Sequence, residues 1–295
     1  MSVLSELWDR VTGTQPAPAV WIIAAAGVAA LLVVAGNRTW HLARNAITIA
    51  HEGGHALVSL LTGRRLEGIR LHADTSGVTY SRGKGSGVGI TLTTLAGYMS
   101  PPLLGALAAW LLADHHVTAM LWLLLALLAA TFLAIRNIYG AFAVLVTAAA
   151  VCAVSLLASA AVQAVFSYAT AWFLLLGGVR PVIELQRERS RYARRGRGDG
   201  RTDADQLARL TGVPGGLWVT LFGVVAVAAL VLGARLLVPT ALHVPHLPAA
   251  SGLSPRLVTP SPGRGVTPGR GVTPTPDRGR PAGTGCTRNW CSSPR

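Results

Sequence analysis

The sequence predicts an all-α polytopic membrane protein with about seven transmembrane helices, a small β-hairpin after the second and a disordered C-terminal tail. Of the 295 residues, 51% are hydrophobic and only 13% are charged, and the mean hydropathy is +0.47. Soluble domains rarely combine such values. The apolar residues also fall into runs of about 16 to 25 residues, a length that crosses a bilayer as a helix.

The candidate spans follow one another along most of the chain. In order they are 19–35, 41–62, 88–112, 117–135, 138–158, 161–176 and 215–238. The residues before the first run include Glu6, Asp9 and Arg10, with no basic leader followed by a cleavage site. The first run is therefore predicted to be an anchor and not a removed signal peptide, with 1–18 as a cytoplasmic segment.

Arginine and lysine predict the orientation, because they collect in cytoplasmic loops. They lie after the second span, after the fourth and in the loop 179–213: Arg64, Arg65, Arg70, Arg82, Lys84, Arg136, Arg180, Arg187, Arg189, Arg191, Arg194, Arg195, Arg197 and Arg201. Alternating spans put these on one side and Asp114, His115 and His116 on the other. We expect a plasma membrane protein with a cytoplasmic N-terminus and an external C-terminal tail.

The net charge of +14 could indicate nucleic-acid binding. The arginines, however, are concentrated in loops and in the tail, without interleaved aromatic residues. Contact with the anionic headgroups of the bilayer is the favoured explanation, and no nucleic-acid partner is expected.

The residues 239–295 are rich in proline, glycine, threonine and arginine, and 263–268 and 269–274 repeat Gly-Arg-Gly-Val-Thr-Pro. Such a segment has too little apolar content to form a core and is predicted to be disordered. Cys286 and Cys291 are candidates for a disulfide in an external tail, for free thiols or for a weak metal site, whereas Cys152 lies in a span and is explained by packing.

The predicted helix 41–62 contains His51-Glu52-Gly53-Gly54-His55. Two histidines four residues apart lie on one face of a helix and can bind one Zn²⁺, with the glutamate beside them as a general base. Chance would produce such a motif in roughly one chain of this kind in a few hundred. Ionisable groups within a membrane segment are costly and usually functional. The motif therefore predicts a metal-dependent hydrolase.

The rest of this helix is amphipathic. A polar stripe recurs at steps of three or four, formed by Asn45, Thr48, Glu52, His55, Ser59 and Thr62. One face is thus predicted to look into the protein. Gly53 and Gly54 would let a neighbouring helix or a substrate come close, and plain helix packing explains them equally well.

A catalytic zinc site normally has a third protein ligand. Asp203 and Asp205, just before the last span, are the acidic residues that best suit this role. Thr202 followed by Asp205 also resembles an ordinary helix N-cap with acidic residues in the first turn. The residues alone do not choose between these interpretations.

The order of these features resembles the site-2 protease class of intramembrane zinc metalloproteases, in particular its compact bacterial branch. The zinc motif lies in a membrane helix, a short segment with strand character follows, and Leu95-Ala-Gly-Tyr98 opens the next helix. Softer matches are Arg136-Asn137, Gly177-Gly178-Val-Arg180 and the stretch from Thr202 to Pro214, so the resemblance covers roughly 41–238.

This resemblance implies that His51, His55 and Asp203 are the ligands of one Zn²⁺ per chain and that Glu52 is the catalytic carboxylate. The chain lacks the Leu-Asp-Gly sequence that supplies the third ligand in better-known members, so Asp205 stays an alternative. Tyr98 and Asn137 are candidates for lining the site, with helix packing as the other explanation. The segment 19–238 would form the protease domain.

The segment 66–81 predicts the hairpin. Ile69 and Leu71 alternate with polar residues, as do Val78 and Tyr80, and a turn sequence lies between them. An exposed hairpin edge can accept an extended substrate by backbone hydrogen bonding, as the resemblance also suggests, although a solvated loop is the alternative.

The expected activity is hydrolysis of peptide bonds in or near the transmembrane segments of membrane protein substrates. Two other functions fit a metal motif in a membrane helix. A divalent metal transporter would need ligands repeated on adjacent helices, and the spans contain no second cluster of that kind. A catalytically inactive scaffold would retain zinc for structure alone.

Overall fold

The computed structural model describes residues 12–194 and 202–238, which are mostly helical. Helices and strands follow in the order α1 (Val20–Ala35), α2 (Asn37–Leu61), β1 (Arg65–Leu71), β2 (Gly77–Arg82), α3 (Val88–Ala113), α4 (Val117–Ala134), α5 (Ile138–Leu157), α6 (Ala160–Arg194), α7 (Asp203–Thr211) and α8 (Gly215–Leu237). The predicted class, an all-α membrane protein with a small hairpin after the second helix, is confirmed. The predicted tail with Cys286 and Cys291 lies outside the described residues.

The number of spans differs from the prediction. Within the described ranges, α3, α4, α5, α6 and α8 are long and apolar enough to cross a membrane. Helices α1 and α2 qualify only as a pair bent by 102° at a short break, which makes at most six spans instead of about seven. Helix α1 has only 16 residues, and the polar residues of α2 make it too hydrophilic to count separately. The apolar run 161–176 is the first half of the longer α6.

Arg180 of α6 binds at the bend between α1 and α2. The Arg180 guanidinium donates hydrogen bonds to the carbonyl of Val34 and, over 3.1 Å, to Asn37 Oδ1. It also lies over the Trp40 ring, 5.0 Å from the ring centroid. Val34 is one of the last residues of α1, whose terminal carbonyls have no partner within the helix. Arg180 therefore stabilises the end of α1.

The start of α1 and the α3–α4 turn lie at the same end of the bundle. Gln15 N–H donates to the His115 carbonyl over 2.9 Å, and its side chain donates to Thr118 Oγ1 over 2.7 Å. The sequence predicted that 1–18 and Asp114 lie on opposite sides of the membrane. The contact of Gln15 with His115 instead favours the same side for both, as a single pass of the bent pair α1 and α2 would give. The hairpin lies at the other end, where α4 leads to α5.

The hairpin is antiparallel and pairs Ile69 with Thr79 and Leu71 with Gly77. Asn137, just before α5, forms hydrogen bonds with the outer edge of β1. The Asn137 side chain accepts a hydrogen bond from Leu71 N–H over 3.2 Å and donates one to the Leu71 carbonyl over 2.7 Å. Arg136 N–H donates to the Ile69 carbonyl over 2.9 Å. The outer edge of β1 is thus covered, and the hairpin is anchored to the bundle.

Helix α7 packs against α3 and α8. It begins at Thr202, whose side chain accepts a hydrogen bond from Asp205 N–H and donates one to Asp205 Oδ2, as the predicted N-cap requires. Its apolar face is buried in a small cluster with residues of α6 and α8, formed by Val182, Leu185, Ala204, Leu207, Val219 and Phe222. The packing fixes the short helix, and with it the first residue, Asp203.

Candidate metal centre

Two helices that are distant in sequence bring three metal-ligating side chains together. The helical spacing of α2 places His51 and His55 on one face, with their Nε2 atoms 3.2 Å apart. Asp203 Oδ2, from α7, lies 3.2 Å from His51 Nε2 and 3.3 Å from His55 Nε2. Among the described residues these form the group of three that could hold a metal ion.

The tautomer of His55 is set by helix α3. His55 Nδ1 lies 2.6 Å from the Thr93 carbonyl oxygen, which can only accept, so we assign the proton of the neutral ring to Nδ1. The lone pair of Nε2 then points at His51 and Asp203. A backbone carbonyl that orients a ligating histidine in this way is a common feature of metal sites.

The arrangement fits a zinc ion on two grounds. In a tetrahedral site with ligands about 2.0 to 2.1 Å from the metal, the ligand atoms lie about 3.3 to 3.4 Å apart. The observed separations of 3.2, 3.2 and 3.3 Å match. Space is also kept free beside them, because a Cβ atom at Gly97 would lie 2.6 Å from His51 Nε2 and closer still to His55 Nε2. Only glycine leaves this room.

The carboxyl group of Asp203 has the ionisation that a ligand needs. Burial raises its pKa, but when the imidazoles are protonated, as they can be in the absence of a metal, the charge of His55 and the hydrogen bonds from both rings outweigh burial and hold the pKa well below its ordinary value. Asp203 is therefore an anion over the whole physiological range, as metal binding requires.

Asp205, the alternative ligand, faces away from the two histidines. Its carboxylate pairs with the Arg189 guanidinium of α6 and accepts a hydrogen bond from Thr202 Oγ1 over 2.7 Å. Burial raises the pKa of Asp205, and these two hydrogen bonds lower it below its ordinary value. Its contacts are those of an N-cap and an ion pair between α7 and α6.

Glu52 is buried, with 4% of its surface exposed, and lies outside the group of three ligating side chains. Thr79 Oγ1 on β2 donates a hydrogen bond to Glu52 Oε2 over 2.6 Å. Gly77 of the same strand leaves the room that the glutamate side chain occupies. The carboxylate therefore lies between the helix that carries the histidines and the hairpin.

The two candidates for lining the site have different positions. The Tyr98 ring lies edge-on to His51, with the ring centroids 4.8 Å apart, and stacks on Phe222 at 4.9 Å. The Tyr98 ring therefore lies directly beside the metal-ligating group. Asn137 hydrogen-bonds to the backbone of Leu71 in the hairpin.

Sequence analysis did not identify Thr79, Thr93 or Arg189 as residues around the centre. Thr93 contributes its backbone carbonyl, and a contact of the backbone cannot be predicted from the type of side chain. For Thr79 a signal existed: it shares a hairpin face with Ile69 and Leu71, which are almost fully buried, whereas Val78 and Tyr80 on the other face are exposed. A threonine on the buried face of a hairpin needs a hydrogen-bond partner.

Comparison with known proteins gives one match. A family model described as Peptidase M50B-like matches residues 24–233, which is more than half of the chain and includes all of the residues around the centre. No curated protein and no solved structure matches the chain. The family match confirms the resemblance to the site-2 protease class, and the described helices are those of a membrane protein. The chain belongs to the Peptidase M50B-like family.

Proposed function

We propose that the protein is an intramembrane zinc metalloprotease that cleaves peptide bonds in or near transmembrane segments of other membrane proteins. The observation that carries this proposal is the meeting of His51, His55 and Asp203 at tetrahedral spacing, with the buried Glu52 on the same helix turn as the histidines. Zinc, when bound there, would supply a Lewis acid that polarises the scissile carbonyl.

The protein groups have separate roles in this reaction. His51, His55 and Asp203 would hold the ion, and the Thr93 carbonyl keeps His55 in the tautomer that binds it. The Glu52 carboxylate would accept a proton from the attacking water and deliver it to the nitrogen of the leaving amine. The edge-on Tyr98 ring holds the His51 imidazole in place.

A substrate must be extended at the bond that is cleaved, because the backbone of a helix is fully hydrogen-bonded and inaccessible. The hairpin supplies a template for an extended segment. The peptide groups of Ile69 and Leu71 point away from β2, towards Arg136 and Asn137. In an antiparallel pair the peptide groups of their partners, Thr79 and Gly77, then point away from β1. This outer edge of β2 would pair with the substrate strand.

The basic side chains at the hairpin end support a cytoplasmic location for this end, in contact with anionic lipid headgroups. Exposed members of this group are Arg65, Arg70, Arg82, Lys84, Arg136 and Arg187. We propose that the protein lies in the plasma membrane, with the metal centre open to water from the cytoplasm, and that it has no nucleic-acid partner.

The test is the substitution Glu52→Gln, which removes the base without changing the size of the side chain. Purified protein in proteoliposomes would be mixed with a pool of single-span transmembrane peptides, and cleavage followed by mass spectrometry. We expect at least about a 100-fold loss of rate, since general acid–base catalysis contributes about 10² to 10⁴. The zinc content should stay at one per chain.

Each alternative function has its own outcome in this experiment. Zinc-loaded wild-type protein that cleaves nothing would indicate a scaffold, and Glu52→Gln protein that cleaves at the wild-type rate would exclude the proposed base. Zinc uptake by the vesicles that His51→Ala abolishes would indicate a transporter. The described residues favour the protease over the transporter, because the metal-ligating group found among them is confined to one place in the bundle.

A further inference from the structure

We infer that strand β2 positions the catalytic carboxylate: Thr79 holds Glu52 by a hydrogen bond, and Gly77 leaves the space in which the Glu52 side chain lies. Because the same strand would bind the substrate, substrate pairing and proton transfer are coupled through it. This inference rests on the proposed function and adds to it two positioning residues and the means by which the hairpin acts on catalysis.

The contact between Thr79 and Glu52 is short and specific. Thr79 Oγ1 lies 2.6 Å from Glu52 Oε2 and 3.2 Å from the Glu52 backbone carbonyl oxygen. A hydroxyl that donates to a carboxylate at this distance makes one of the stronger hydrogen bonds in proteins. Threonine is also branched at Cβ and stiff at χ1, so the hydroxyl is held in place. The carboxylate is thereby restricted to one orientation.

Gly77 acts through the absence of a side chain. A Cβ atom built at this position would lie 2.6 Å from Glu52 Cγ, 2.7 Å from Oε1 and 2.8 Å from Cδ. Real Cβ atoms do not approach other atoms so closely, so any other residue would push the glutamate aside. Glu52 therefore lies flat against the strand, with Gly77 beneath one oxygen and Thr79 bonded to the other.

The strand that holds Glu52 is itself fixed to the bundle. Its partner residues Ile69 and Leu71 are almost fully buried, and Asn137 binds the far edge of β1. On the near side, Thr48 of α2 donates a hydrogen bond to the carbonyl of Thr75 in the hairpin turn, over 2.9 Å. These contacts make the hairpin a rigid support for the carboxylate.

The inner face and the outer edge of the same strand segment thus have different roles. The side chain of Thr79 and the bare Cα of Gly77 contact Glu52, while the peptide groups of the same residues point to the outer edge where a substrate would pair. Neighbouring strands lie about 4.8 Å apart, so a paired substrate would come within one strand spacing of the residues that hold the base. A shift of the strand would move both together.

The experiment compares Thr79→Val, which keeps the shape and removes the hydroxyl, with Thr79→Ser, which keeps the hydroxyl. Thr147→Val is the matched control, because Thr147 only donates to the Ala143 carbonyl within α5. Zinc content, kcat and KM would be measured on the most rapidly cleaved peptide of the transmembrane pool. Misplacing a catalytic group by about 1 Å can cost about 100-fold in rate.

We expect Thr79→Val to lower kcat by about 10- to 100-fold with the zinc content unchanged, and Thr79→Ser and Thr147→Val to stay within about threefold of wild type. Gly77→Ala should also lower kcat at unchanged zinc. A Thr79→Val protein with the kcat of the Thr147→Val control would overturn the inference, even if Glu52→Gln is inactive and the proposed function stands.

A second measurement tests the contact without any cleavage assay. Thr79→Val should lower the melting temperature of the protein in detergent by several degrees, and by clearly less in a Glu52→Ala background, because the carboxylate that accepts the shorter hydrogen bond is already absent. Equal shifts in both backgrounds would show that Thr79 does not act through Glu52. If wild-type protein cleaves no peptide, the proposed function fails, and this double-mutant comparison still decides whether β2 holds the carboxylate.

Discussion

Asp203 and Asp205 lie in the same turn of α7, yet their side chains contact residues of different helices. Asp203 meets the two histidines of α2, and Asp205 meets Arg189 of α6. Sequence patterns identified the pair but could not choose between its members, because both suit the first turn of a helix. The choice depends on how α7 is rotated against α6 and α8, which is decided by buried residues such as Leu207.

The two aspartates should therefore respond differently to substitution. We expect Asp203→Ala to lower zinc affinity by at least about 100-fold, since it removes one of three protein ligands. Asp205→Ala should retain one zinc per chain. Metal analysis of the purified proteins after dialysis against a weak chelator measures both. Loss of zinc from the Asp205 variant with retention in the Asp203 variant would reverse the assignment.

Other residues of the centre differ in how far the sequence could reveal them. The histidines were predictable because helical spacing alone puts them on one face. Gly77 was not, since its importance depends on the hairpin folding back onto α2, which local alternation does not specify. For Thr79 the alternation could indicate the buried face of the hairpin, but it could not identify Glu52 as the hydrogen-bond partner. Asn137 was a candidate for lining the site or for packing, and the structure shows its side chain hydrogen-bonded to Leu71 of β1.

At the scale of elements, the apolar runs predicted α3, α4, α5 and α8 closely, because length and hydrophobicity are strong signals for membrane helices. The hairpin was also predicted correctly. Helix α6 continues past its apolar run into the charged segment, where Arg180 and Glu184 pair one turn apart over 2.9 Å. Hydropathy alone assigns this charged segment to a loop, although its helix-forming residues and the ion pair between Arg180 and Glu184 favour a helix.

The hairpin gives a prediction at this scale. Asn137→Ala should loosen β1 and β2, because two hydrogen bonds to Leu71 are lost and each contributes about 0.5 to 1.5 kcal/mol. We expect amide exchange in 65–82 to become about 10-fold faster or more, measured by hydrogen–deuterium exchange with mass spectrometry. Zinc content should not change. Unaltered exchange in this segment would show that the hairpin is held by its other contacts alone.

At the scale of the whole molecule, the number of spans depends on whether α1 and α2 count as one. The sequence could not reveal the bend between these two helices, because it depends on tertiary contacts such as those of Arg180 with Val34 and Asn37. Gln15 contacts His115, so the start of α1 shares its end of the bundle with the α3–α4 turn.

This arrangement predicts the outcome of cysteine labelling in intact cells. In a background without Cys152, Cys286 and Cys291, single cysteines at Gln15 and Asp114 should both react with a membrane-impermeant maleimide before the cells are opened. A cysteine at Lys84, next to the hairpin, should react only after the cells are opened. Labelling of the cysteines at Gln15 and Lys84 from the same side would contradict the single pass of α1 and α2.

The position of Asp203 has a consequence for biosynthesis. The first two ligands and the third are separated by about half of the chain, and four long apolar helices lie between them. While the ribosome is still making those helices, the nascent polypeptide carries an incomplete set of ligands. Under the proposed function, the growing chain would thus be unable to cleave neighbouring membrane proteins until nearly all of its bundle has been inserted.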